Sequence, residues 1–494
     1  MIKVLLQGHN YQYEVLELLK IFIKTENIYF IDDEALVDHQ SFLLVNKLIE
    51  KEDHIEIQSA ITREKELLFQ YHIAIEKSDF DQMNLVKEVK RTIKLSIYEV
   101  ISKALQKFPD WGILTGIRPT KIVHELLDQN YALPEIDSIM ENKYRINEEK
   151  RKLLMDIAVT ERPFIANNNK SLVSLYVSIP FCPTRCLFCS FPSNPLNRGQ
   201  GIVDQYLDAL IYEIKGTIAL MNELGHKIET LYIGGGTPTS LDTVNIKKLM
   251  LTLNENIVLS DLKEITVEAG RPDTIDREKL KILKNYGVNR ISINPQTMNS
   301  QTLERIGRAH SPRQIVEAFQ LAKEIGFETI NMDVIVGLPG EGCKEIEYTM
   351  KALAELLPEN ITVHTLAVKR ASNLKEKLED YPLVMEEQAK EMLKITVDYT
   401  KRMGMKPYYL YRQKFMVGNL ENIGYCLPGH EGIYNIQIME ERQTILAAGA
   451  GAVSKIVYPK ENRLERVPNL TNVYQYIQRV KEMIERKRRE LMIL

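Results

Sequence analysis

Three of the five cysteines, Cys182, Cys186 and Cys189, fall within eight residues in the string Tyr176-Val-Ser-Ile-Pro-Phe-Cys-Pro-Thr-Arg-Cys-Leu-Phe-Cys189. At C-x3-C-x2-C spacing, three thiolates can wrap one corner of an iron–sulfur cubane, each on a different iron, and leave the fourth iron without a protein ligand. That open iron is a place for chemistry. A structural zinc site takes four protein ligands, and no fourth Cys or His lies at the usual short spacing; the nearest downstream histidine is His226. Three unrelated core cysteines are the plainer alternative, since free cysteine packs as a small hydrophobe. So tight a cluster in 494 residues speaks against it. The same clustering does not suit a disulfide framework and leads us to expect a reducing cytoplasm.

Other residues can hold a polar small molecule beside such a centre. Ile233-Gly-Gly-Gly-Thr237 contains adjacent glycines, which let backbone amides and carbonyls come close to a ligand and tolerate positive φ. Glu268, Gln296, Asp333 and Arg308 add two carboxylates, an amide and a guanidinium, groups that accept an ammonium, pair with ribose hydroxyls and fork onto a carboxylate. Taken singly, each reads equally well as a surface or ion-paired side chain. Their joint placement depends on the elements that carry them.

Those elements are regular. From residue 172 onward, apolar β-branched runs at 174–180, 229–234, 264–269, 288–294, 329–337 and 360–368 alternate with helix-patterned segments at 203–224, 244–256, 277–286, 314–325, 344–357 and 386–403. Six β/α units predict an α/β fold with a parallel sheet and right-handed crossovers, closing into a partial (β/α)6 TIM-like barrel. In such folds, ligand groups sit at the carboxyl ends of strands, which is where the cysteine segment, the glycine run, Glu268, Gln296 and Asp333 fall. We expect three regions: an N-terminal α+β domain over 1–165, the barrel over 172–405, and a C-terminal α/β extension over 406–494. The polar stretch 166–170, with three asparagines, reads as a linker. In the first region, 2–6 and 69–75 read as strands. Residues 87–107 read as a helix with Val89, Ile93, Leu95, Ile97, Val100, Ile101 and Leu105 on one face. The Gly/Pro-rich segment 112–121 can bind an anion, but reads better as a loop leading into a helix near Pro119.

Net charge of −3 gives no pull toward nucleic acid or an anionic membrane, and no apolar run approaches the length of a bilayer span. The opening Met1-Ile-Lys-Val-Leu-Leu-Gln-Gly-His reads as a strand and not as an export signal. A soluble, cytoplasmic protein is expected. The basic cluster at 485–490 reads as a solvated helix face. Cys343 and Cys426 are too few for a second cluster and read as structural. His430 and Glu431 lack a partner at metal-ligand spacing. Tyr408, Tyr409 and Tyr411 suit either a flat ligand or plain strand alternation.

The cysteine motif with its glycine run resembles the radical S-adenosylmethionine superfamily. That resemblance implies a [4Fe-4S] cluster on Cys182, Cys186 and Cys189, with S-adenosyl-L-methionine chelating the open iron. An electron passed through the cluster splits the sulfonium C–S bond and yields a radical. Within the superfamily, the sequence is similar to the oxygen-independent coproporphyrinogen III oxidase family, whose cofactor positions match as Tyr176, Phe188, Gly235, Gly236, Thr237, Glu268, Gln296, Arg308, Asp333, Ala367 and Val453. The strings Val267-Glu-Ala-Gly-Arg-Pro-Asp273, Tyr409-Leu-Tyr-Arg-Gln-Lys414 and Asn419-Leu-Glu-Asn-Ile-Gly-Tyr425 look like its coproporphyrinogen dehydrogenase branch, HemZ. The resemblance implies oxidative decarboxylation of coproporphyrinogen III to protoporphyrinogen IX, with an electron donor such as flavodoxin or ferredoxin. A haem-binding chaperone and another radical reaction on a tetrapyrrole are the alternatives. Two departures bear on substrate: Ser190-Phe191 replaces a segment carrying a further cysteine two residues after the third ligand, and Ser178 replaces a histidine. Arg271, Arg308 and Arg412 are candidate partners for substrate propionates.

Overall fold

Stiff β-branched side chains pack on both faces of a buried parallel sheet. Here they form strands Leu172–Ile179, Lys227–Gly235, Glu264–Glu268, Arg290–Ser292, Thr329–Val336 and Asn360–Thr365. The six lie in that order and pair in parallel throughout. The helices between and after them are Gln200–Glu223, Thr243–Asn256, Arg277–Asn285, Pro312–Ile325, Cys343–Leu356 and Glu386–Arg402. Local chemistry sets their ends. Asp242 and Asp276 accept from Asn245 N and Lys279 N at 2.8 Å. Ser311 and Gln314 form a reciprocal capping box, and Gly326 closes the same helix at φ +91°. That helix buries Ile315, Ala318, Phe319 and Ala322, and each large side chain so buried contributes about 1.5–3 kcal/mol.

The computed structural model describes every residue except 34–40, 166–170, 192–193, 196–199, 415, 462 and 493–494. The expected linker at 166–170 lies outside the described residues. The chain divides into two compact units, Met1–Asp156 and Ile157–Leu494, so the division falls inside helix Glu148–Ile165.

The second unit differs from a barrel with an appended extension. Residues 406–494 are built into both edges of the same sheet. Strands Asn422–Cys426 and Lys406–Tyr411 continue it antiparallel beyond the sixth barrel strand. At the opposite edge, Ile445–Ala448 pairs in parallel with Leu172–Ile179, followed by Val453–Tyr458 and Arg463–Pro468 in antiparallel. The result is an open eleven-stranded sheet. The basic C-terminal helix Val480–Leu491 is not solvated all round. Lys487 turns inward, fully buried, and its ammonium pairs with the equally buried Glu213.

The first unit has a five-stranded sheet in the order Ile28–Ile31, Ile2–Gln7, Phe42–Glu50, His54–Arg63, Glu66–Glu76. Helix Gln82–Leu105 starts on Asp81, which accepts from Asn84 N. It buries Val89, Ile93, Leu95, Ile97, Val100 and Ile101 as expected, while Leu105 is only partly covered. Gly112, at φ +53°, lies where a Cβ would meet Tyr144 O at 2.0 Å, so that glycine serves chain packing ahead of helix Thr120–Asp128. No helix among the described residues is long and apolar enough to cross a membrane.

Candidate active site at the carboxyl ends of the strands

The barrel strands end around a cavity of about 360 Å3, and the cysteine segment that leaves the first strand forms part of its wall. Backbone contacts tie this segment down. Thr184 Oγ1 donates to Gly307 O at 2.9 Å, Arg185 Nη2 to Ala371 O at 2.6 Å, and Leu187 N to Ile306 O at 3.0 Å. Arg271, 3% exposed, forks onto both oxygens of Asp273 at 3.0 and 3.1 Å and donates to Thr184 Oγ1 at 3.1 Å. Expected as a propionate partner, Arg271 instead clamps the cysteine loop, because its fork already has a carboxylate.

Cys182, Cys186 and Cys189 all line the cavity. Burial pushes the Cys182 thiol up to about 11. Thr237 Oγ1, 3.5 Å from the sulfur, opposes this, and the other two cysteines reinforce it. Cys189 is raised by burial as well, with Cys186 adding to it. Thiols that disfavour one another's ionisation while sharing a cavity need a strongly cationic centre to become thiolates. This donor set fits an iron–sulfur cluster: three soft ligands, with the rest of the cavity open beside them.

The glycine run has a reason that its sequence did not show. A Cβ on Gly236 would lie 2.5 Å from Phe181 O, and one on Gly235, at φ +108°, 2.8 Å from Ser178 Oγ. Gly236 N and Thr237 N donate to Ile179 O and Phe181 O at 2.8 Å each. The run therefore holds the second strand end hard against the cysteine-bearing segment, and it lines the cavity as well.

Two carboxylates face the cavity in different states. Burial pushes Glu268 up to about 7; Tyr232 Oη, which donates to it at 2.7 Å, pulls it down, and the charge of Asp333 adds to the rise. Asp333 is also buried, yet it is held below its ordinary value by His364, 3.6 Å away, and by Asn331 Nδ2, which donates at 2.8 Å. Gln296 stands on the fourth strand's continuation with φ +67°, a conformation costing about 1–3 kcal/mol in a non-glycine residue. Its N donates to Asp333 O at 2.9 Å and its O accepts from Ile335 N at 3.0 Å. Its buried Oε1 has no partner. Arg308, 8% exposed, rests Nη1 on the carbonyls of Gly270 and Asn294, while its buried Nε lacks a partner. An unpartnered amide oxygen, an unpartnered guanidinium N–H and a carboxyl raised by burial around one cavity fit a zwitterionic nucleoside, which supplies hydroxyls, a carboxylate and an ammonium.

Phe188, Gly235, Gly236, Thr237, Glu268, Gln296, Arg308, Asp333 and Ala367 thus line one cavity. Tyr176 and Val453 are outside that lining. Tyr176 stacks behind it on Tyr232 and Tyr434, at 6.1 and 6.2 Å between ring centroids. Val453, 39% exposed, opens the strand next to the sheet's edge. Sequence reasoning missed the inward wall. Ser292, Asn331 and Thr362 link across three strands: Asn331 Nδ2 donates to Ser292 Oγ at 2.7 Å, and Thr362 Oγ1 to Asn331 Oδ1 at 3.0 Å. His364 joins Asp333 to Tyr411, whose hydroxyl is 3.2 Å from Nδ1. Period-two spacing of 331, 333 and 335, and of 362 and 364, was the available signal. Tyr409 and Tyr411 line the cavity with rings 4° from parallel, whereas Tyr408 turns to Arg290 and Asn435.

Other cysteine and histidine candidates lie elsewhere. Cys426 packs among Ile165, Tyr408, Tyr409 and Ile436. Cys343 Sγ donates to Glu391 Oε2 at 3.7 Å. His430 Nδ1 bonds Thr329 Oγ1 at 2.8 Å, at the amino end of the fifth strand.

Residues 176–353 match the Radical SAM superfamily. The chain is 37% identical over 451 residues to the oxygen-independent coproporphyrinogen-III oxidase-like protein HemZ of Bacillus subtilis, covering 90% of this chain and 89% of that one. It is 40% identical over 283 residues to the heme chaperone HemW of the same organism, covering 56% of this chain and 70% of the other. Among solved structures, coproporphyrinogen III oxidase (HemN) from Escherichia coli, a radical SAM enzyme, superposes with a TM-score of 0.53 at 28% identity, over 66% of this chain and 73% of that one. With the cysteine loop, the parallel barrel and a relative matched across nearly its whole length, the chain belongs to the radical SAM superfamily, in the oxygen-independent coproporphyrinogen-III oxidase-like family of the HemZ type, with a [4Fe-4S] cluster and S-adenosylmethionine as its cofactors.

Proposed function

We propose that this chain carries out oxygen-independent oxidative decarboxylation of coproporphyrinogen III, turning two propionates into the vinyls of protoporphyrinogen IX. The observation that carries the reading is the cavity in which three thiols meet a strained, unpartnered amide, an unpartnered guanidinium N–H and two buried carboxylates shifted in opposite directions. When bound, the cluster and S-adenosylmethionine supply reductive C–S cleavage and, from it, abstraction of a substrate hydrogen atom.

The chain's own residues bind, orient and exclude water. Cys182, Cys186 and Cys189 hold the cluster. Arg308 Nε takes the cofactor carboxylate, Glu268 its ammonium, and Gln296 and Asp333 the ribose hydroxyls. Rigid strand ends keep these groups in place, so little reorganisation is needed when the substrate carbon comes near. The parallel rings of Tyr409 and Tyr411 offer a flat wall for pyrroles. Oxidase-like HemZ, similar across nearly the whole chain, supports this substrate.

The similarity to the heme chaperone HemW supports a second reading, haem binding without turnover. Anaerobic reconstitution with iron, sulfide, reductant and S-adenosylmethionine separates the two. The decarboxylation reading expects 5′-deoxyadenosine, carbon dioxide and vinyl product that depend on coproporphyrinogen III. Stoichiometric haem binding with no such turnover would sink it in favour of the chaperone.

A further inference from the structure

Among the described residues, four cationic side chains line the cavity: Arg185, Arg271, Arg308 and Lys369. Two of them are committed. Arg271 spends its fork on Asp273, and Arg308 is pinned on two backbone carbonyls deep among the groups assigned to the cofactor. Arg185 and Lys369 are different. Arg185 is exposed and anchored through Nη2 on Ala371 O at 2.6 Å. Lys369 is half-buried just beyond the sixth strand, with its ammonium 5.8 Å from the centroid of the Phe191 ring. Among the described residues, no carboxylate pairs with either one. Phe191, 60% exposed, also lines the cavity, two residues after the third cysteine.

Charge is therefore sorted along the cavity. Its interior holds Glu268 and Asp333 together with Arg308, the groups assigned to the cofactor. Its rim carries two cations that no described carboxylate neutralises, both within electrostatic reach of Cys189, beside an exposed aromatic ring. A flat molecule with several ionised carboxylates fits this layout in one sense: carboxylates at the rim, apolar ring against Phe191, and the carbon to be attacked turned inward. We propose that Lys369 and Arg185 form the carboxylate-recognising rim of the substrate site, with Phe191 beside Lys369 as the ring-contacting face. The assignment rests on the tetrapyrrole reading above and names residues for its specificity.

The test uses the cluster-loaded full-length protein and coproporphyrin III, the stable oxidised macrocycle with four propionates, with binding followed by the change in its absorption band. Lys369→Met keeps the apolar stem and removes the charge, so affinity falls about tenfold, the loss of one charge-assisted hydrogen bond. Lys369→Arg keeps the charge and stays within about threefold of the parent, a rescue that a merely structural role would not produce. Arg185→Gln, at an exposed position, weakens binding in the same direction and serves alone if Lys369→Met does not load its cluster. Melting temperature and the cluster's visible absorbance establish that each variant is folded. A loaded Lys369→Met, Arg185→Gln double variant that binds coproporphyrin III like the parent overturns the rim and leaves the tetrapyrrole reading standing. A loaded parent protein that does not bind coproporphyrin III overturns both together.

Discussion

Two buried glutamates of the second unit are treated in opposite ways. Glu213, with no exposure, accepts from Gly449 N at 2.7 Å, Asn469 Nδ2 at 2.8 Å and Tyr476 Oη at 2.5 Å, and also pairs with the buried ammonium of Lys487. Glu268 has one side-chain donor, Tyr232, and burial pushes it up to about 7. The first carboxylate is saturated and joins the first barrel helix to the C-terminal helix. The second is left short of donors beside Gln296 Oε1 and Arg308 Nε, which are short of partners too. A fully satisfied polar cluster specifies structure; an under-satisfied one around a cavity is a receptor.

The largest effect that sets the two regions apart belongs to the thiols. Replacing Cys182, Cys186 or Cys189 with alanine should abolish cofactor cleavage, read as iron content and 5′-deoxyadenosine yield, without a matching fall in the unfolding midpoint of the protein prepared without its cluster. Breaking the other region should do the reverse. Lys487→Met leaves Glu213 buried and uncompensated, and we expect a loss of about 3–5 kcal/mol in urea unfolding. Adding Glu213→Gln should recover part of it.

Glu268→Gln probes the receptor through pH. The folded value, raised to about 7, lies above the ordinary value of 4.5. The native state therefore holds a proton that the unfolded state has lost between those values, and stability falls as pH rises through that window. Glu268→Gln should remove a decline on the order of 3 kcal/mol between pH 4.5 and 7, measured as denaturant midpoints of the cofactor-free protein. It should also flatten the gain in S-adenosylmethionine affinity expected of the parent as pH rises past 7. The smallest effect is that of Gln296→Gly. Relief of the positive φ offsets the added chain entropy of glycine, so stability should move by less than about 1 kcal/mol. Cofactor binding, read by calorimetry, should still weaken roughly five- to tenfold with the amide gone.

Much of this was legible in the chain. The six strands and their helices appear close to where apolar runs and helical periodicity put them, because those signals act between neighbours in sequence. Glu268, Gln296 and Asp333 could be picked out because strand ends of a parallel sheet converge. Less legible were the inward polar residues Asn331, Thr362 and His364, since a central strand buried on both faces gives little contrast between inward and outward positions. The glycines at 235 and 236 were visible, but their reason was not: a close approach to Phe181 and Ser178 is a property of two segments, not of one.

The sequence by itself determined the cluster motif and the β/α series, because ligand spacing within eight residues and helix capping within four are short-range. Tertiary structure alone decided which arginines are committed, how residues 406–494 enter both edges of the sheet, and that Lys487 lies buried on Glu213, 274 residues away. Those outcomes turn on desolvation and pairing between distant segments, and a charged side chain carries no local mark of the partner that will neutralise it.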